Sequence, residues 1–157
     1  MSKKIKKRIK RDPSKILGVL YGSAPLSEGK VRHIDVESRT AWAKLCAGTG
    51  TFKDYNTIAW VVNVVELGLE HLNSPEITEI VRACSNKVGA ALDRRMATGE
   101  WNLTDESVPE MLDLLDIHHQ LVSLVTVNQL EKILNQIETM KGEQIECIKV
   151  ACDAWDD

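Results

Sequence analysis

The densest set of chemically competent side chains lies at Glu110, Asp113, Asp116, His118 and His119. Carboxylates and imidazoles ligate transition metals and act as acids and bases in hydrolysis. Asp116 and His119 stand three residues apart, which puts them on one helical face, like half of a dimetal carboxylate site. The other half needs a second acid-x-x-His helix, and neither His33 nor His71 has an acid three residues before it. His118 and His119 point about 100° apart on a helix, so they do not easily share one ion. The cluster therefore reads as a polar face beside an apolar stripe, and no metal ligand is assigned.

The other reactive patterns fail on spacing. Gly22 to Gly29-Lys30 leaves six residues between the glycines and is followed by Val31. A phosphate-cradling loop needs four, and then a Ser or Thr for magnesium. There is no Gly-x-Ser-x-Gly elbow for a serine nucleophile. Cys46, Cys84, Cys147 and Cys152 form no C-x-x-C pair, and each lies on or near an apolar helical face, as small buried residues do. The reading is free thiols in a reducing compartment. The sequence thus predicts no enzyme, no catalytic residue and no cofactor.

Charge is the strongest functional signal. Lys3, Lys4, Lys6, Lys7, Arg8, Lys10 and Arg11 place seven positive charges in nine residues. Residues 1–32 hold ten Lys/Arg against Asp12 and Glu28, while the remainder of the chain carries a net −11. A basic arm on an acidic body suits non-specific contact with phosphates. No aromatic residue interleaves the basic run, so base stacking is not expected. A solubilising or self-docking arm is the other reading.

The elements that position these residues read as helices. Residues 1–33 are expected to be a basic arm and linker, with Gly18, Gly22, Pro25 and Gly29 marking the linker. Residues 34–157 are expected to form one all-α domain, a bundle of five or six helices. The first helix is predicted over Asp35 to Ala47. The second is predicted from Phe52 to Leu72, capped by Thr51, with Ile58, Val62, Val65 and Leu69 on its stripe. Ser74, Pro75 and Glu76 open the third, and Gly99 closes it. Ser107 opens the fourth and Thr126, with Gln129, the fifth. A last segment, Glu143 to Trp155, carries Ile145, Ile148, Cys152 and Trp155 on one side. Trp42 and Trp60 are expected in the core, and Trp101 is expected to fold back over the bundle. The longest apolar run is five residues, Ile58 to Val62, far short of the roughly 20 that span a bilayer. The apolar stretch at Ile16 to Leu20 is also too short, and too interrupted by Asp12 and Pro13, for a signal peptide. A cytoplasmic protein that makes no membrane contact is expected.

Trp42-Ala43 with Gly48-Thr49-Gly50 and Asp54, then Asp93-Arg94-Arg95 with Thr98-Gly99-Glu100-Trp101, then Leu112-Asp113-Leu114-Leu115-Asp116 ahead of Gln120-Leu121, and finally Thr126 and Leu130, carry a family likeness. Over about two thirds of its length the chain resembles uncharacterised small helical accessory proteins of proteobacterial prophages and plasmids. The resemblance implies a mobile-element accessory protein and transfers no catalytic residue. The leading expectation is a non-enzymatic protein that acts by protein–protein contact on a host pathway. Its partner surface would include Trp155 and the segment-four acids Asp113 and Asp116. The alternative is a nucleic-acid-associated or regulatory protein using the basic arm. The helical faces also allow a homodimer.

Overall fold

The computed structural model describes residues 24–101 and 108–139. Among these the protein is all-α, with five α-helices and no strand. They are α1 (Glu28–Cys46), α2 (Phe52–Leu69), α3 (Pro75–Thr98), α4 (Val108–Leu124) and α5 (residues 127–139). A 3-10 turn over Glu70–Leu72 joins α2 to α3.

The starts of α1, α2, α3 and α5 rest on caps that satisfy otherwise orphaned amides, while the expected Ser107 start of α4 lies outside the described residues. The Ser27 hydroxyl accepts from the Lys30 amide, and Glu28 sits in the positively polarised first turn. The first helix therefore opens at Glu28, earlier than the expected Asp35. Residues 28–33, read as linker, are its first turns, and Val31 is already buried. Gly29 suggested a linker, but it faces open space and the Ser27-Glu28 start signal prevails. Thr51 and Asp54 form the expected reciprocal box, with the Thr51 amide donating to Asp54 Oδ2 at 2.8 Å. Ser74 accepts from the Ile77 amide ahead of Pro75. The Thr126 amide donates to Gln129 Oε1 at 2.9 Å, while the Gln129 amide donates back to Thr126 Oγ1 at 3.3 Å. α3 ends where predicted. Gly99 takes φ 77°, a conformation costly for any residue with a Cβ, and its amide donates to Arg95 O at 2.8 Å.

α2 is the central helix. It packs on α1, α3 and α4, and its Val64 joins the cluster that holds α5. This placement explains how a run rich in Val stays helical. Branched side chains lower helix propensity slightly, but Ile58, Val61, Val62, Val64 and Val65 are all buried. Burial of each such side chain contributes about 1.5–3 kcal/mol, well above the propensity loss. α2 and α4 come close at Gly68, where an added Cβ would lie 2.6 Å from Leu121 Cδ2.

One large core joins α1, α2, α3 and α4 around Leu45, Ile58, Cys84, Met111 and Leu114. A smaller one, Val64, Leu121, Ile133 and Ile137, fixes α5. Trp101 folds back as expected. Its indole stacks on Tyr55 with centroids 5.2 Å apart and meets the Phe52 ring edge-on at 5.3 Å. The Arg95 guanidinium lies 5.7 Å from the Trp101 ring centroid, within cation–π range. Near the start of the described chain, the Val127 amide donates to Ala24 O at 3.0 Å, and Pro25 bridges to Thr126. No described helix is long and apolar enough to cross a membrane.

Candidate functional site: a groove with a buried imidazole

α1, α2, α4 and α5 leave a groove of about 530 Å3 between them. α1 contributes Ile34 and Ser38, α2 contributes Trp60, Val61 and Val64, α4 contributes His118 and Val122, and α5 contributes Leu130 and Leu134. The walls are mostly apolar. Polar groups gather at the α1 and α2 edges, where Glu37, Lys53 and Asn56 are exposed. The Ser38 hydroxyl is spent on Ile34 O at 2.8 Å and the Thr57 hydroxyl on Lys53 O at 3.0 Å.

His118 is the exception among these walls. It is only 4% exposed, and its Nδ1 has no hydrogen-bond partner. Burial pulls its pKa down to about 4, with His119 adding to the fall and Asp35 opposing it. The ring is therefore neutral at pH 7. A buried polar nitrogen without a partner costs about 1–3 kcal/mol.

The neighbouring polar residues are already committed to each other. Arg39 of α1 donates to Asp35 Oδ1 at 3.0 Å and to Asp116 Oδ1 at 2.6 Å, clamping α1 to α4. The Asp116 hydrogen bond is the largest influence raising the Arg39 pKa. His119 Nδ1 lies 3.7 Å from the same Asp35 oxygen, beyond hydrogen-bond reach. The expected 100° divergence of the two histidines is visible here: His118 is buried and His119 half-buried. Among the described residues no three His, Cys, Asp or Glu side chains converge on a metal-sized site.

The sequence-predicted partner residues fare differently. Asp113 is exposed on α4. Asp116, also expected to meet a partner, is instead engaged by Arg39, although its side chain stays 62% exposed. Trp155 and the basic run Lys3, Lys4, Lys6, Lys7, Arg8, Lys10 and Arg11 lie outside the described residues. Trp60, expected in the core, is only half-buried and lines the groove. The bases of α3 pair with acids, Lys87 with Glu110 at 2.9 Å and Arg82 with Glu79 at 3.1 Å. The Lys87 hydrogen bond holds the Glu110 carboxyl below its usual range. Cys84 is a buried free thiol whose pKa burial pushes up to about 11, so it is a core residue and a poor nucleophile.

Sequence reasoning missed the groove. Its one local signal was the His118-His119 pair: on a helix with an apolar stripe, one of two adjacent histidines must turn inward. Comparison with family models, with curated proteins and with solved structures finds no match.

Proposed function

We propose that this is a non-enzymatic accessory protein of a mobile element, working in the cytoplasm by protein–protein contact through the groove. A partner would lay one apolar helical face between α1 and α5, as helix-in-groove recognition requires. The observation that carries this reading is the mostly apolar wall of the groove, built by Ile34, Trp60, Val64, Val122, Leu130 and Leu134 from four helices. Such a site rewards a partner that brings apolar surface. The groove edges carry one acid and one base, Glu37 and Lys53, so net charge contributes little there. The resemblance to prophage- and plasmid-encoded proteins supplies the biological setting, in which the partner belongs to a host pathway.

The test is selection of helical peptides from a displayed random library on the full-length protein. Enriched peptides should carry an apolar stripe and bind at least tenfold more weakly to Thr57→Trp, which fills the groove. Binding should change little between low and high salt, because apolar docking releases few counterions. An empty selection, or peptides that bind Thr57→Trp equally well, would refute the reading.

A second reading rests on the seven positive charges in nine residues of the arm. The arm would contact nucleic-acid phosphates without sequence choice. Fluorescence anisotropy across a salt series should then give a log–log slope of about −4 or steeper, lost on deletion of residues 1–15.

A further inference from the structure

One end of the groove lies beside the pairing that starts the described chain. Ala24 O accepts from the Val127 amide, and Pro25 bridges to Thr126. Leu130, whose amide donates to Thr126 O, lines the groove within the first turn of α5. The backbone bends at Ala24 before it crosses to α1. Just ahead of this point, beyond Gly22 and Ser23, stand Ile16, Leu17, Gly18, Val19, Leu20 and Tyr21. Five of these six residues are large and apolar.

We infer that this segment, Ile16 to Tyr21, lies extended in the groove of its own chain. The inference rests on the groove being a docking site, and it names the first occupant. Three observations converge on it. The first is the point of entry. Two residues join the segment to Ala24, which sits at the Leu130 end of the groove. Short linkers hold a tethered group at an effective concentration of about millimolar. A partner arriving from solution lacks that advantage.

The second is length. On α2 the groove lining runs from Val64 to Lys53, about 16 Å at the helical rise. Six extended residues cover about 20 Å, and Gly22 with Ser23 add about 7 Å for the passage by Leu130. The third is composition. Alternate side chains of an extended segment face opposite ways. Leu17, Val19 and Tyr21 fall on one side, Ile16 and Leu20 on the other. Both sides are apolar, so either suits walls made by Ile34, Trp60, Val64 and Leu134. The segment carries no charge, so Glu37 and Lys53 at the edge neither draw nor repel it. A groove leaves one side of the strand to water, where its backbone groups keep hydrogen-bond partners. The segment then acts as a resident competitor, which a partner must displace.

Cysteine crosslinking in the full chain tests this. Cys46→Ser, Cys147→Ser and Cys152→Ser remove competing thiols, while buried Cys84 is kept. Leu17→Cys labels the segment, and Asn56→Cys places a thiol at the exposed far edge of the groove. Asn128→Cys in place of Asn56→Cys is the control. Asn128 is exposed and adjacent to Val127, so an arm that wandered from Ala24 would reach it at least as easily. Mild oxidation should join positions 17 and 56 within one chain, in at least tenfold higher yield than 17 and 128. Adding Val19→Asp with Leu20→Asp puts a charge on each side of the strand. That pair should lower the yield at position 56 at least threefold and tighten binding of the selected peptides at least threefold.

A yield at position 128 equal to or above that at 56 would overturn the inference. So would crosslinks only between chains, which make a second copy the occupant. An unchanged yield in the doubly charged variant would overturn apolar seating, and unchanged peptide affinity would overturn the competitor role. The peptide selection separates the two claims. If crosslinking fails while selected peptides still need an open groove, self-docking falls and the docking site stands. If crosslinking succeeds while selection is empty, the groove serves the chain itself.

Discussion

Acidification should weaken the fold through His118, chiefly between pH 6.5 and 4.5, above the range in which the lowered carboxyls of Glu110 and Asp54 act. The imidazole is 4% exposed and burial lowers its pKa from the ordinary 6.5 to about 4. Between those values the unfolded chain binds a proton that the folded chain does not, so stability falls as pH falls. The His118 contribution is complete above about pH 6.5 and is lost progressively towards pH 4. The loss amounts to about 1 kcal/mol at pH 5.5 and about 3 kcal/mol at pH 4. Asp54 acts lower. Burial pushes its carboxyl up, but hydrogen bonds from Thr51 and the charge of Lys44 outweigh this and hold it below 3.8. Its contribution is present above 3.8 and disappears only as pH falls through the lowered value. Urea unfolding of wild type and His118→Leu, followed by circular dichroism from pH 7.5 to 4, isolates the His118 effect. The stability difference between the two proteins should shift by about 3 kcal/mol in favour of Leu across the window, with the urea slope unchanged. A difference that stays flat would refute the reasoning, because it would mean that the ring titrates in the folded protein as freely as in the unfolded chain.

Three further outcomes follow from the geometry. Thr51→Ala removes both the hydroxyl acceptor of the Asp54 amide and a donor to its carboxylate, and should cost about 1–2 kcal/mol in urea unfolding. Trp101→Ala leaves a cavity against Tyr55 and Phe52 and should cost about 3–5 kcal/mol, read as a lowered urea midpoint. With a thiol reagent at pH 8, exposed Cys46 should react promptly, while Cys84, buried and held near 11, should react only on unfolding; prompt labelling of Cys84 would contradict its burial.

Local chemistry made the helix ends legible. The Thr51–Asp54 and Thr126–Gln129 boxes, Ser74-Pro75 and Gly99 each act within a few residues, and each is found as read. The start of α1 was not legible, because Gly29 imitates a linker while one serine and one glutamate do the capping. The all-α class followed from apolar periodicity, which local pattern carries. The groove did not, because it depends on how α1 and α5 flank α2. Asp116 shows the same limit: its partner Arg39 lies 77 residues away, and nothing in the spacing of segment four points to it. Trp60 has the composition of a core residue, yet α1 and α5 stand far enough apart to leave its face in the groove wall.

The short pairing of Ala24 and Pro25 with Thr126 and Val127 has a consequence for the order of assembly. It fastens the threshold of α1 to the corner between α4 and α5, so the first four helices are enclosed in a single covalent loop closed by that clasp. Contacts of such wide sequence separation cost the most chain entropy to make and tend to form after the local ones. The Val127 amide is therefore a latch indicator: its hydrogen exchange reports when the ring of helices has shut. The same clasp makes the corner a mechanical root. Tension applied to the residues ahead of Ala24 is delivered to the beginning of α5, the helix whose Leu130 and Leu134 face the groove.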